Sequence, residues 1–349
     1  MNHIGDKRVV NVFVSRGPKG RFKVKSTLVS DWDEASRVQK LRVHDTKKKR
    51  KMIDNKKKLI KHFEHVLDIS FDEEEFINNF FLDYIQKGTI EFKKKLIVWD
   101  EEEVVTFDSL SVIEKKVHGF TIPESIVKFA QMADKSNYIG LITAYYQNSL
   151  LLIKASHQNT FISGMLHTDL ALATLVTIAY FPGKAEPLAK HLLDFLIDTE
   201  ERFKIYPENL EFGYSSTLYL TSCLLDQLGH PDISSQILNY CKSPITDYKM
   251  AVSELYTTNT NSLNEWINGM CRFHIANSED DLTLAFNREH WQYFPIEIIT
   301  LLQLRSQQGL PIDFITHPLL KDFLPFIAQK LPVPLDETTR KLEKRILEK

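Results

Sequence analysis

The stretch Pro187–Leu196, PLAKHLLDFL, decides the fold. Leu188, Leu192 and Leu196 stand four apart with Leu193 and Phe195 beside them, so a helix gathers them on one face while a strand scatters them across two. Pro187 sits where a first helical turn tolerates a missing N–H. The same period recurs from residue 121 to residue 330. Tyr214, Leu218, Leu225 and Leu228 repeat behind Ser215 and Ser216, and Gly229 followed by Pro231 stops that helix. Ser262 and Glu265 read as a capping box ahead of Trp266, Ile267 and Met270. Ile296–Gln308 runs to Gly309, with Pro311 beyond it, and Leu320, Phe323, Leu324 and Ile327 give one more apolar face. Leu224–Ile233 and Leu301–Phe314 share an order of helix, Gly, one residue, Pro and apolar stretch. That order predicts helical hairpins with repeat-like character, without the register of a tetratricopeptide array. The apolar-leaning run from Phe161 to Phe181 is broken by Ser163, His167, Thr168, Asp169, Thr174 and Thr177, and reads as a buried helix, not a membrane span.

The first 120 residues read differently. Val9–Val14 (VVNVFV) and Arg21–Val29 (RFKVKSTLV) are β-branched and aromatic and flank Gly17, Pro18 and Gly20, so a β-hairpin is expected, with Phe22 and Val24 on one face. Residues 33–67 carry an intermittent helical stripe through Val38, Leu41, Ile53, Leu59, Ile60 and Phe63. Asp72–Glu75 opens a further helix, as acidic residues suit the positive end of a helix dipole, and Gly88 ends it. Thr89–Trp99 and Val104–Phe107 then predict two strands around an acidic turn, Asp100–Glu103. The fold class is therefore mainly α: a small α+β region over 1–120, a helical-hairpin or α-α superhelix-like domain over 121–330, and a charged helix or tail over 331–349.

With 349 residues, 43% hydrophobic and 26% charged, the chain is neither disordered nor fibrous. Cys223, Cys241 and Cys271 form no CxxC pair and no disulfide framework, and the opening MNHIGDKRVV lacks the apolar stretch of a secretory leader, so a reducing cytoplasm is expected. The net charge of −2 conceals a division: residues 1–61 hold 19 Lys and Arg against 6 Asp and Glu, and residues 62–349 hold 25 against 40. The basic part peaks at Lys47, Lys48, Lys49, Arg50 and Lys51, then Lys56, Lys57 and Lys58. Such a run holds phosphates by displacing counterions, or it is a solvated face or an arm laid on the protein's own acidic body.

Catalytic signatures are sparse. None of the 12 glycines falls in GxGxxG or GxxxxGK[ST], and neither HExxH nor GxSxG occurs, so no cofactor or metal is expected. His62 and His65 share a helix face without a further ligand at matching spacing. Glu91-Phe92-Lys93, with Asp83 upstream, matches the ExK tripeptide of restriction-type nucleases, but reads as well as strand alternation in a lysine-rich segment. His167 with Asp169, and Glu289 with His290, are acid/base candidates with no nucleophile placed beside them. Aromatic residues gather towards the C-terminal third, where Trp291 and Tyr293 lie near Glu279, Asp280, Asp281 and Glu289. Aromatic anchors with an acidic rim suit a basic protein partner.

The stretch Ser149–Tyr180 and the segment Trp291-Gln292-Tyr293-Phe294-Pro295-Ile296 through Gln308-Gly309-Leu310-Pro311 resemble the all-helical immunity proteins of bacterial polymorphic-toxin systems, in particular the immunity 49 family, over residues 121–330. The resemblance implies a non-enzymatic inhibitor that binds and occludes a cognate protein toxin, and the negative charge over residues 62–349 suits a toxin with a basic active-site face. Two other readings stand beside it. One is a nucleic-acid-associated protein using Lys47–Lys58, with the ExK segment a degenerate or working nuclease; the other is a helical-repeat adaptor. None involves a membrane.

Overall fold

The computed structural model describes residues 9–16, 22–28, 47–98, 101–158, 160, 162, 165–202, 215–281 and 284–348. Its helices build outward from α5 (His167–Tyr180), which packs against α4 (Lys135–His157), α6 (Ala185–Arg202), α7 (Ser216–Gln227) and α12 (Ile296–Gln307). Every residue of α5 from Thr168 to Ala179 is buried. A helix enclosed on all sides has no solvent for its hydroxyls, and here two of its three Thr hydroxyls bond to backbone carbonyls instead. Thr174 donates to Leu170 O (2.7 Å) and Thr177 to Thr174 O (2.7 Å). Neighbouring helices do the same across the interface: Ser149 donates to Ala173 O (3.3 Å), Thr221 to Ala171 O (3.3 Å) and Thr300 to Leu175 O (3.1 Å). The buried-helix reading of the run ending at Phe181 agrees with this placement, and among the described residues no helix is long and apolar enough to cross a membrane.

The hairpin expected near the N-terminus is present as β1 (Val9–Arg16) paired antiparallel with β2 (Phe22–Leu28), Val14 opposite Val24; its turn, residues 17–21, lies outside the described residues, as do residues 33–46 of the expected first helix. From Lys47 one helix, α1 (Lys47–Lys87), runs without a break for 41 residues. The new helix expected at Asp72–Glu75 does not begin there: no Gly or Pro interrupts 47–87, so nothing stops the helix already in progress. Phe63, Phe76, Ile77, Phe81, Tyr84 and Ile85 form the buried stripe of α1. Gly88, at φ +77°, ends it in the left-handed conformation open to glycine. β3 (Glu91–Val98) and β4 (Glu101–Asp108) then pair antiparallel. Their turn is shorter than expected, because Glu101, Glu102 and Glu103 already pair with Val98, Ile97 and Leu96 across the ladder. Phe92 and Phe107, on one face, pack on Phe76 and Phe80 of α1.

Asp108 caps α2 (Ser109–Glu114), a π-helical segment (Lys115–Thr121) follows, and α3 (Ile122–Gln131) leads into α4. The hairpin read at Leu224–Ile233 is formed by α7 and α8 (Pro231–Leu238), joined through Gly229 at φ +87°. After α9 (Thr246–Ser253) comes α10 (Thr260–Ala276), whose cap is Asn259 and not the Ser262–Glu265 box. Asn259 Oδ1 accepts the Asn261 and Ser262 N–H groups, and the Ser262 hydroxyl turns to Glu254 instead. The second expected hairpin, Leu301–Phe314, is not helical beyond α12. Residues 312–323 form turns, among them Ile312–Ile315 and His317–Leu320, before the five-residue α13 (Leu324–Ala328), and Ile312, Ile315, Thr316 and Pro318 disfavour a helix there. The C-terminal segment is a docked helix, α14 (Glu337–Leu347), with Leu342 and Ile346 buried. Gln147 donates to Thr339 Oγ1 (2.8 Å), Tyr146 to Glu343 Oε1 (2.6 Å) and Arg345 to Gln86 O (3.1 Å). The apolar core runs from Phe63 to Ile346, crossing position 120, where the sequence marked a boundary.

Candidate functional site

A polar cluster gathers at α11 (Glu289–Tyr293), a short helix that meets the first turn of α5 through Trp291 and the π-helical segment through His290. Asp169, in the first turn of α5, accepts the Leu166 N–H (2.9 Å), the Trp291 indole N–H (2.9 Å) and Arg288 Nε (3.1 Å). His118, from the π-helical segment, donates from Nε2 to Asn148 Oδ1 (2.9 Å) and stacks on His290 with ring centroids 5.6 Å apart. Tyr145 donates to the His290 carbonyl (2.5 Å). Of the two acid/base candidates read separately from sequence, Asp169 from one and the His290 segment from the other come together through Trp291 and Arg288, while Glu289 faces His62 at 3.9 Å. His118, Asn148 and Arg288 were missed. The available signal was Gly119 inside a helical run, since helices that carry an extra residue per turn occur often at functional positions.

Burial sets the protonation of the rings around this cluster. Burial holds the His118 and His290 imidazoles below their ordinary range, with Arg288 adding to the effect, and burial lowers His167 to about 4. All three rings are neutral at pH 7. Burial raises the Glu114 carboxyl while Arg288 opposes it. The thiols are likewise held protonated by burial: Cys223 is raised, Cys241 to about 12 and Cys271 well above the ordinary value. A thiol is a weak nucleophile until ionised.

The expected contact residues divide by burial. Trp291 and Tyr293 are 1% and 4% exposed, so they are core and not surface anchors: the indole ties α11 to α5, and the Tyr293 ring packs edge-on against Phe323. Glu279, Asp280 and Asp281 are exposed after α10, while Glu289 is half-buried and lies 3.9 Å from His62. A larger acidic surface lies elsewhere. Asp194, Ile197 and Glu201 share one exposed stripe of α6 with Asp198 beside them, and α8, packed against α6, exposes Asp232 and Leu238. Asp226 of α7 is exposed as well, and no Lys or Arg occurs from residue 205 to residue 241.

Of the basic run, Lys47, Lys48, Lys49, Arg50 and Lys51 open α1, and Lys57 and Lys58 are exposed. Lys56 turns to the body, pairing with Asp322 at 2.5 Å. Glu91 and Lys93 pair with each other (3.2 Å) on the solvent side of β3, and Asp83 pairs with Lys87 (2.8 Å), so the ExK residues and Asp83 face separate partners. Among the described residues no group of three or more His, Cys, Asp or Glu is placed to hold a metal ion. Comparison with protein-family models, curated proteins and solved structures returns no match.

Proposed function

We propose that the protein works by binding another protein, as a toxin-neutralising immunity protein that covers the basic active-site face of its cognate toxin. The observation that carries this reading is the α6–α8 surface, where packed helices expose Asp194, Glu201, Asp226 and Asp232 together with Ile197 (39%) and Leu238 (41%). Carboxylates exposed on the same helices as apolar side chains suit a partner rich in Lys and Arg: charge speeds encounter, and apolar burial slows release. This surface replaces the loop Glu279–Asp281 as the leading contact candidate, because that loop's expected aromatic partners are buried.

The test pairs the chain with the toxin encoded beside its gene. Co-expression restores growth, and the variant with Asp194, Glu201 and Asp232 changed to Lys lowers the association rate about tenfold or more at low salt, the difference shrinking as salt rises. An unchanged rate in that variant removes the α6–α8 surface. Exposed Lys57 and Lys58 support the nucleic-acid reading instead. Micromolar binding to arbitrary DNA with a steep salt slope in a gel-shift titration selects it.

A further inference from the structure

We propose that His118 and His290 together hold a divalent transition-metal cation of the Zn²⁺ class, with both imidazoles as ligands and water in the remaining positions. His118 comes from the π-helical segment and His290 from α11, and their rings lie 5.6 Å apart between centroids with planes inclined by 21°. Imidazole nitrogens bind such a cation at about 2.0–2.1 Å, which sets two ligand rings about 5–6 Å apart between centroids at tetrahedral or slightly wider angles. The observed separation falls within that span. No third His, Cys, Asp or Glu among the described residues joins the pair, so the site is an open one. Both histidines are half-buried, which leaves the space they share within reach of solvent.

The support around each ring suits this role. His118 donates its Nε2 hydrogen to Asn148 Oδ1 (2.9 Å), which leaves Nδ1 with an uncommitted lone pair. A metal-bound histidine ordinarily spends its other N–H on such an oxygen, because that bond fixes the tautomer and aims the ring. The His290 ring has no hydrogen bond among the described residues, and its backbone is fixed instead. Tyr145 donates to the His290 carbonyl (2.5 Å), and the Tyr145 and Trp291 rings flank the imidazole at 6.1 and 4.8 Å between centroids. Asn148 and Tyr145 are buried, so both supports are packed in place. The π-helical turn is an independent pointer, since that geometry occurs mostly in single turns at functional positions. Arg288 opposes a further positive charge nearby, but its guanidinium is paired with Asp169 (3.1 Å). Neither histidine belongs to α6 or α8, so the site stands whether or not that surface meets a toxin.

Calorimetric titration of the full chain, stripped with EDTA and dialysed, with zinc chloride tests this. Zn²⁺ gives one saturable site of micromolar affinity and raises the unfolding temperature, whereas Mg²⁺, which prefers oxygen ligands, does neither. His118→Leu and His290→Leu each weaken Zn²⁺ about tenfold or more, and Asn148→Leu, which frees the His118 ring, weakens it severalfold. Asn148→Asp restores an acceptor for His118 and keeps the affinity. His62→Gln, which removes the exposed imidazole beside Glu289, leaves the affinity unchanged. Copper(II) paramagnetic resonance of the unaltered chain reads the ligands without any substitution, and shows two nitrogen donors. Absence of a saturable site at about 0.1 mM Zn²⁺ overturns the proposal, as does unchanged affinity in a folded His118→Leu or His290→Leu variant. Should either variant fail to fold, fewer than two nitrogen donors on copper overturns it. A loss in His62→Gln equal to that in His290→Leu also overturns it, and makes the binding a property of exposed histidines.

Discussion

Helices α5 and α1 are both free of Gly and Pro, yet one is enclosed and the other is buried along a single stripe. In α5 the interior is achieved largely by pairing: the Thr174 and Thr177 hydroxyls and the N-terminal Asp169 find partners within the core. In α1 the interior is achieved by spacing, with Phe63, Phe76, Ile77, Phe81 and Tyr84 inward while Lys57, Lys58 and Lys61 stay in water. The difference sets where stability resides. A polar change within the α5 environment removes a bond that nothing replaces, whereas a polar change on the outer side of α1 exchanges one solvated group for another.

The sharpest way to break that comparison is Asp169→Ala. It leaves the buried Trp291 indole N–H without its acceptor and Arg288 without its carboxylate, and loss of one partner of such a pair costs about 3–5 kcal/mol. Urea unfolding measures the loss. Asp169→Asn costs less, since the amide oxygen still accepts from Trp291 while its NH₂ cannot accept from Arg288. A loss below about 1 kcal/mol for Asp169→Ala shows that α11 is held by packing alone.

Acidification probes the same environment through its histidines. His167 and His191 are lowered by burial to about 4, whereas an unfolded histidine titrates near 6.5. Between those values the unfolded chain binds protons that the native chain refuses, so stability falls as pH drops from about 6.5 to about 4. The separation corresponds to on the order of 3 kcal/mol for each residue. Urea midpoints across that window show the slope, and His191→Leu reduces it; an unchanged slope excludes His191 as a source. Thr221→Val comes next, at about 1 kcal/mol, because it deletes the hydroxyl bond to the α5 backbone and keeps the side-chain shape. A neutral result there places the strength of the α5–α7 contact in apolar packing.

Spacing made the stripe of α1, the leucines of α6 and the strands of both hairpins legible in sequence, because each depends on residues near one another in the chain. Pairing was not legible. Asp169 and Trp291 are 122 residues apart, and Gln147 and Thr339 are 192 apart, so no local pattern announces either bond. The same blindness made Trp291 and Tyr293 look like surface anchors: acidic neighbours in sequence signalled a rim, but the rings face the core. The break expected at Asp72 failed for a related reason, since acidic residues favour a helix start without being able to end a helix already formed. Lys56 lies over the Tyr293 ring although the two are more than two hundred positions apart, and nothing local signals that contact either.

The smallest expected effect lies on the outer side of α1. Lys57 and Lys58 are exposed and sit on a helix whose apolar stripe they do not touch, so Lys57→Ser with Lys58→Ser shifts stability by less than about 0.5 kcal/mol for each position. Lys56→Ala goes slightly further, because it removes the pair with Asp322, but both side chains are roughly two-fifths exposed and such pairs are worth about 0–1 kcal/mol. Urea unfolding of the double and single variants at low and high salt measures both, and the Lys56 effect shrinks as salt screens the pair. If the double variant instead loses more than about 1 kcal/mol, and loses less at high salt, then Lys57 and Lys58 are attracted to the acidic body. The outer side of α1 would then be held by pairing, as α5 is, and the contrast between the two helices would close.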